Sequence, residues 1–343
     1  MFYTESPQQF SIPQIMRAIV LAEPNEQMNL AEIELPIPIC GDNELLVKVE
    51  YVGLNPLDGQ YAKSGFCQWQ YPHVLGLDAV GIVVKAPLGI YPNVGERVMW
   101  HASLAEQGVL SEYAKVPNYA VSVVPNKVMP QQAATLPCAG MTALIALKKL
   151  QITEGDTLFV EAGAGAVGQF AIQFAKQHGA DVFTTAAKHN HKRLKQLGAD
   201  AVFDYKDKNL ISKIQRELGS QGFTAVIDSI GGDNTLRNIE LMRFCGRIAC
   251  LKPLPVLDQT LLFKKAPNIS IVSLSGAWLA NSLCAQQHMS FMSKLLLENV
   301  ENGAVKVPKI SIVNFSSLAV SSALTKQLAG GFTGKQIVQV SQD

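Results

Sequence analysis

The chain has 343 residues, with 29 lysines and arginines against 28 aspartates and glutamates, for a formal net charge of +1. Such a length predicts about two domains. The near balance of charge argues against nucleic acid or an anionic membrane as partner and favours neutral small-molecule chemistry. No apolar run approaches the roughly 20 residues that a membrane helix needs, and the start Met-Phe-Tyr-Thr-Glu-Ser-Pro lacks a basic leader region, so the expected location is the cytoplasm.

The first residues, to about Gln14, read as a polar lead-in. Arg17 to Ala22 and Leu45 to Gly53 have strand character and are separated by Pro36, Pro38 and Gly41. Short β-rich pieces follow at Gly81 to Lys85, Glu96 to Trp100 and Ser111 to Val116, so this half predicts a mostly β module with few helices. After Pro130 the pattern changes. Gln131 to Leu150 is helical in composition, with a break expected at Pro137 and Gly140. Strand-like and helix-like segments then alternate: strands at Asp181 to Thr185, Ala201 to Phe203, Thr224 to Asp228, Arg247 to Leu251 and Ile269 to Leu274, with helices between the earlier ones. That alternation predicts a doubly wound parallel sheet of about six strands. A helix at Ser290 to Glu298 leads to a tail that ends in a strand, Lys335 to Val340.

The most informative stretch is Thr157 to Gly168, an apolar run ending in glycines spaced G-x-G-x-x-G. Thr157 to Ala162 reads as a buried strand, and Ala166 to His178 carries Val167, Phe170, Ala171, Phe174 and Ala175 at helical spacing. The glycines therefore fall at a strand-to-helix turn. Gly163 is expected to permit the tight turn, Gly165 to let a pyrophosphate approach bare backbone, and Gly168 to let the helix pack closely. Together with Ala164, Ala166 and Val167 they form the expected dinucleotide cradle at a helix N-terminus.

Six cysteines, Cys40, Cys67, Cys138, Cys245, Cys250 and Cys284, are scattered without a Cys-x-x-Cys pair. His189 and His191 lack an accompanying Cys or Asp. Neither a disulfide framework nor a structural metal is expected.

Several segments in order carry a family resemblance: Gly53-Leu54-Asn55-Pro56-Leu57-Asp58, Pro72 to Gly81, Gly95-Glu96-Arg97-Val98, Ser111-Glu112-Tyr113, Ala133 to Pro137 with Thr142-Ala143, the glycine turn, Leu197 to Asp200, and Gly334-Lys335. The chain resembles the zinc-free quinone oxidoreductase branch of the medium-chain dehydrogenase/reductase superfamily. The resemblance implies an α/β protein with a GroES-like β-barrel catalytic domain over residues 1–133, completed by 306–343, and a Rossmann NADP-binding domain over 134–305, with the active site in the cleft between. It also implies a homodimer joined near Ile269 to Leu274, whose apolar, β-branched edge needs a cover. Zinc-using members place a Cys where this chain has Asn55 and a His-Glu where it has Leu77-Asp78, and they carry a four-cysteine cluster that is missing here. No catalytic metal is therefore expected.

Without a metal to stabilise an alkoxide, hydride transfer to a quinone or an α,β-unsaturated carbonyl is the easier chemistry. The segment about 20 residues past the glycine turn, Phe183 to Lys188, has no acid for the ribose hydroxyls, and its hydroxyl and basic groups suit a 2′-phosphate. Thr185 and Lys188 are the candidates there, and NADPH is the expected cofactor. Asn55, at the vacated ligand position, is expected nearest the substrate carbonyl, with a plain turn residue before Pro56 as the other reading. The resemblance also points to Tyr61 in the substrate pocket, although the loop Asp58 to Gly65 is one residue longer than the usual pattern, which leaves Gln60 as its rival. By resemblance, Thr142, Ser229-Ile230 and Leu274-Ser275 contact the cofactor; the latter two pairs fall after strands, where doubly wound sheets bind ligands. Tyr205, just after the third strand, is expected to flank the adenosine end. Other carbonyls, enoyl thioesters, or a non-catalytic NADPH sensor remain open as alternatives.

Overall fold

A computed structural model describes residues 10–219 and 221–341; most of the predicted lead-in, residues 1–9, lies outside them. The chain divides into two compact units. The first opens with β1 (Ile15–Leu21), β2 (Leu30–Pro36) and β3 (Glu44–Gly53), then α1 (Pro56–Ser64), β4 (His73–Val74), β5 (Asp78–Lys85), β6 (Arg97–His101), β7 (Tyr113–Pro117), β8 (Val121–Val123) and α2 (Pro130–Ala133). The segment expected to be a loop, Asp58 to Gly65, is largely the helix α1. Pro56 starts it, where its missing N–H costs nothing, and Gly59 inside it is a packing device. A Cβ there would lie 3.1 Å from Leu328 Cδ1.

The second unit holds most of α3 (Pro137–Leu150), then β9 (Thr157–Val160), α4 (Ala166–Gln177), β10 (Asp181–Thr185), α5 (His191–Gln196), β11 (Ala201–Phe203), α6 (Leu210–Leu218), β12 (Phe223–Asp228), α7 (Asp233–Leu241), β13 (Met242–Cys250), α8 (Gln259–Lys265) and β14 (Asn268–Ile271). The chain does break before Pro137, but Gly140 lies inside α3 and does not interrupt it. The six strands are parallel, in the order β11-β10-β9-β12-β13-β14. Phe159 stacks on Phe223 at 4.8 Å in its core. On one face α4 buries Phe170, Ala171, Phe174 and Ala175, the spacing read from sequence. Strand order reverses between β9 and β12, so the carboxyl ends of those two strands flank the crevice where such sheets take ligands.

The chain then returns to the first unit with α9 (Gly276–Leu279), α10 (Leu283–Glu301), β15 (Ile310–Asn314), α11 (Ser317–Leu328) and β16 (Lys335–Gln339). α10 is longer than its apolar pattern suggests and is tied to β8: Ser290 Oγ donates to Val121 O at 2.7 Å, and Ser122 Oγ donates to Ser290 O at 2.7 Å. The tail completes a seven-stranded sheet ordered β15-β16-β3-β5-β6-β8, with β7 on β3. β2, β1 and β4 form a second sheet, and a common apolar core including Ile19, Val47, Val52 and Trp100 runs through the unit. β16 lies antiparallel to β3, with Ile337 opposite Gly53. That pairing brings the last strand beside the chain leading to Asn55.

Candidate active site and cofactor turn

Asn55 caps α1, and its own N–H donates to Asp58 Oδ2 at 2.7 Å. Its side chain is committed at both ends: Nδ2 donates to Asp78 Oδ2 at 2.9 Å and to Gly53 O at 3.3 Å, while Oδ1 accepts from Lys335 Nζ at 2.5 Å. The amide assigned from sequence to a substrate carbonyl therefore holds Lys335 and Asp78 in place. Burial pushes Asp58 up to about 7, the Asn55 hydrogen bond and Lys335 lowering it and Asp78 raising it further.

Asp78, at the head of β5, is fully buried and accepts four hydrogen bonds. Asn55 Nδ2 and Lys335 Nζ, the latter at 3.0 Å, meet Oδ2; His101 Nδ1 at 2.8 Å and the Cys138 N–H at 3.1 Å meet Oδ1. Burial alone would raise its pKa, but the Lys335 ammonium and the His101 hydrogen bond outweigh it and hold the carboxyl at about 2. A carboxylate only accepts, so His101 donates from Nδ1, and its Nε2 lies 3.4 Å from Ser275 Oγ. Lys335 is placed by Gly334, whose φ of +95° and lack of a Cβ let the chain pass Lys309 O, which a Cβ would approach to 2.2 Å.

Asp78, His101 and Cys138 each bring a donor atom within 4.8 Å of the others. These three residues lie far apart along the chain, so no local spacing marks them as a set. Their chemistry is of a zinc-binding kind. As they stand they do not fit a divalent ion: every acceptor site of Asp78 is filled, one of them by an ammonium.

Tyr61 lies on α1 against Phe66 and Trp69, with ring centroids 5.4 and 5.6 Å away. It lines a narrow slot with Asp58, Trp69, His73, Leu104 and Glu106. Trp69 stacks on His73 at 3.8 Å and donates Nε1–H to Leu104 O at 2.7 Å. Burial lowers His73 to about 4, so its ring is neutral at pH 7, and its Nδ1 is buried without a hydrogen-bond partner. Trp100 is a core residue of the barrel unit.

In the second unit, Gly165 is the N-cap of α4 and no side chain caps that end, so Ala166, Val167 and Gly168 present first-turn N–H groups. Gly163 and Gly168 serve close packing. A Cβ on Gly163 would lie 2.0 Å from Thr184 Oγ1, and one on Gly168 would lie 2.6 Å from Gly163 Cα. The positive φ that the turn needs falls on Ala162, at +53°, rather than on Gly163. Gly165 is nearly open, its virtual Cβ meeting only Ala162 O at 3.2 Å. Thr185 braces the turn from β10, its Oγ1 accepting from Ala162 N at 3.3 Å. Lys188 is exposed, whereas Arg193 is tied to Gln169 Oε1 and Val307 O, each at 2.9 Å.

At the carboxyl end of β12, Asp228 Oδ1 accepts from the N–H groups of Ile230 and Gly231, and Thr235 Oγ1 donates to Oδ2. Ser229 Oγ is buried without a partner, while Ile230 is half exposed. Glu161, beside the glycine turn, pairs with Arg237 at 2.7 Å. Burial, with help from the neighbouring Asp228 carboxylate, raises Glu161 to about 7. Thr142 is half-buried on α3, Leu274 is buried past β14, and Tyr205 is exposed past β11.

Residues 41–126 match the alcohol dehydrogenase GroES-like domain family, and residues 166–291 match the zinc-binding dehydrogenase family. A trans-enoyl reductase of Aspergillus terreus, tazE, is 33% identical over 224 residues, 60% of this chain and 73% of that protein. The quinone oxidoreductase structure from Coxiella burnetii is 27% identical with a TM-score of 0.81, covering 95% of this chain and 100% of that one. A mycobacterial protein solved with NADPH is 27% identical, with a TM-score of 0.82 over 94% of this chain and 99% of that one. The GroES-like half and the doubly wound half expected from sequence are both present. The chain belongs to the medium-chain dehydrogenase/reductase superfamily, in its quinone oxidoreductase-like branch.

Proposed function

We propose that this oxidoreductase transfers hydride from NADPH to quinones or α,β-unsaturated carbonyls without a catalytic metal. The observation that carries the reading is the saturated Asp78, whose charge is neutralised by Lys335 rather than by a divalent ion. With no Lewis acid to take up a developing alkoxide, an acceptor that delocalises the incoming charge through conjugation is favoured. The cofactor assignment rests on the end of β10. Thr185, Ala186, Ala187 and Lys188 offer no carboxylate to compete with a 2′-phosphate, and Lys188 is exposed and cationic.

The diphosphate is proposed to sit on Gly163, Ala164, Gly165, Ala166, Val167 and Gly168, with Thr142, Ser229, Ile230, Leu274 and Ser275 along the nicotinamide half and Tyr205 toward the adenosine. The partnerless Ser229 hydroxyl fits such a role, since a buried polar atom of this kind wants a ligand. Tyr61 is proposed to face substrate, with Asn55 acting through Lys335 and Asp78. The proposed assembly is a cytoplasmic homodimer joined through the β14 edge, whose Ile271 is exposed. A second reading, reduction of an enoyl thioester, is favoured by the trans-enoyl reductase relative. Steady-state oxidation of NADPH against a panel of quinones, enones and enoyl thioesters tests the assignment. Saturable binding of NADPH with no turnover on any acceptor would identify a sensor instead.

A further inference from the structure

We propose that the ammonium of Lys335 is the resident cation of a latent divalent-metal site made by Asp78, His101 and Cys138, and that this ion pair keeps the site closed to metal. The inference concerns the site's cation and is independent of which acceptor the enzyme reduces.

Three observations carry it. First, a carboxylate, an imidazole and a thiol converge within 4.8 Å, a mixed O, N and S set suited to zinc or cobalt. Second, the carboxylate has no vacancy. Its two oxygens take four donors, matching the acceptor capacity of the group, so a metal must displace one of them. Third, one of those donors is a cation. Lys335 is buried with its Nζ held between Asp78 Oδ2 and Asn55 Oδ1. In such a low-dielectric setting the repulsion between an ammonium and a divalent ion is only weakly screened. One positive charge, that of Lys335, already balances Asp78.

Replacing Lys335 by a neutral side chain of similar length inverts each term. An Oδ2 acceptor site opens, the repulsion disappears, and Asp78 is left as a buried charge that a divalent ion would compensate. The Lys335→Met protein should therefore take up one Co²⁺ per chain, with ligand-field absorption in the visible and a thiolate-to-cobalt charge-transfer band in the near ultraviolet. The second substitution Cys138→Ser should remove the charge-transfer band. Bound metal should also raise the melting temperature of Lys335→Met, since a ligand that binds only the folded state stabilises it. The wild-type protein, under the same titration, should show neither spectrum nor shift.

Because Lys335→Met removes half of a buried pair, Lys335→Gln is made in parallel, and both are refolded with and without Co²⁺. Folding only in the presence of metal would support the proposal. It is overturned if wild-type protein binds Co²⁺ with a Cys138-dependent band, if a folded Lys335 variant takes up no metal, or if both variants fail to fold with metal as well as without it.

Discussion

The ammonium of Lys335 lies 3.0 Å from the Asp78 carboxylate although the two residues are separated by 257 positions, and both side chains are almost wholly excluded from solvent. A pair of this kind is stabilising only because each charge compensates the other. Removing one partner strands the other in the interior, which typically costs 3 to 5 kcal/mol, about as much as a sizeable part of a domain's whole stability.

The first expectation follows directly. Asp78→Asn and Lys335→Met should each lower the unfolding free energy by about 3 kcal/mol or more. The double variant should recover much of that loss, because it leaves no uncompensated charge. Denaturant unfolding of the four proteins reads the coupling, and strictly additive losses would argue that the pair does not act as a unit.

Two carboxyl groups set a pH dependence of the opposite kind from Asp78. Asp58 and Glu161 both have folded-state pKa values raised to about 7 by burial, above their ordinary values of 3.8 and 4.5. Between those values and 7 the folded chain holds protons that the unfolded chain has released. Their contribution is therefore fully present below about pH 4 and is lost as pH rises through 7. Glu161→Gln keeps a neutral group there at every pH. It should flatten the decline in melting temperature between about pH 4.5 and pH 7, and an unchanged slope would show that Glu161 does not set it.

The glycine turn separates packing from ligand approach. A Cβ at position 163 collides with Thr184 Oγ1, so Gly163→Ala should cost on the order of 1 to 3 kcal/mol of stability. At position 165 the same methyl meets only Ala162 O at 3.2 Å. Gly165→Ala should thus fold with near wild-type stability yet bind NADPH at least tenfold more weakly, which unfolding curves and fluorescence titration together can distinguish.

Much of this turn was legible in the sequence, because strand, glycines and helix lie within one short window and each follows a local period. The six-strand alternation was legible for the same reason. The roles within the turn were less so: the left-handed residue is Ala162, and nothing in a G-x-G-x-x-G spacing says that Gly163 is needed for Thr184. α1 was obscured by Pro56 and Gly59, whose usual meaning is a turn, while here one starts the helix and the other admits Leu328. The Asp78, Asn55, His101, Cys138 and Lys335 assembly was not legible, because it is built by antiparallel pairing of the last strand onto β3. Its local signs are Asn55 and Leu77-Asp78 at the vacated ligand positions, and a lysine heading a strand that is buried at Ile337 and Val338.

Cofactor choice should respond to the exposed cation after β10. Lys188→Ala should raise the KM for NADPH by about tenfold, the loss of one charge-assisted contact to a phosphate, and leave NADH unaffected. Equal effects on both cofactors would remove Lys188 from the 2′-phosphate site.

The central claim, hydride transfer from NADPH at a site whose cation is a lysine, is tested most directly by following NADPH oxidation after exhaustive dialysis against a chelator. The account predicts saturable turnover with a quinone, enone or enoyl acceptor, undiminished by chelation and not increased by added zinc. Turnover that disappears with the metal and returns with zinc would contradict it.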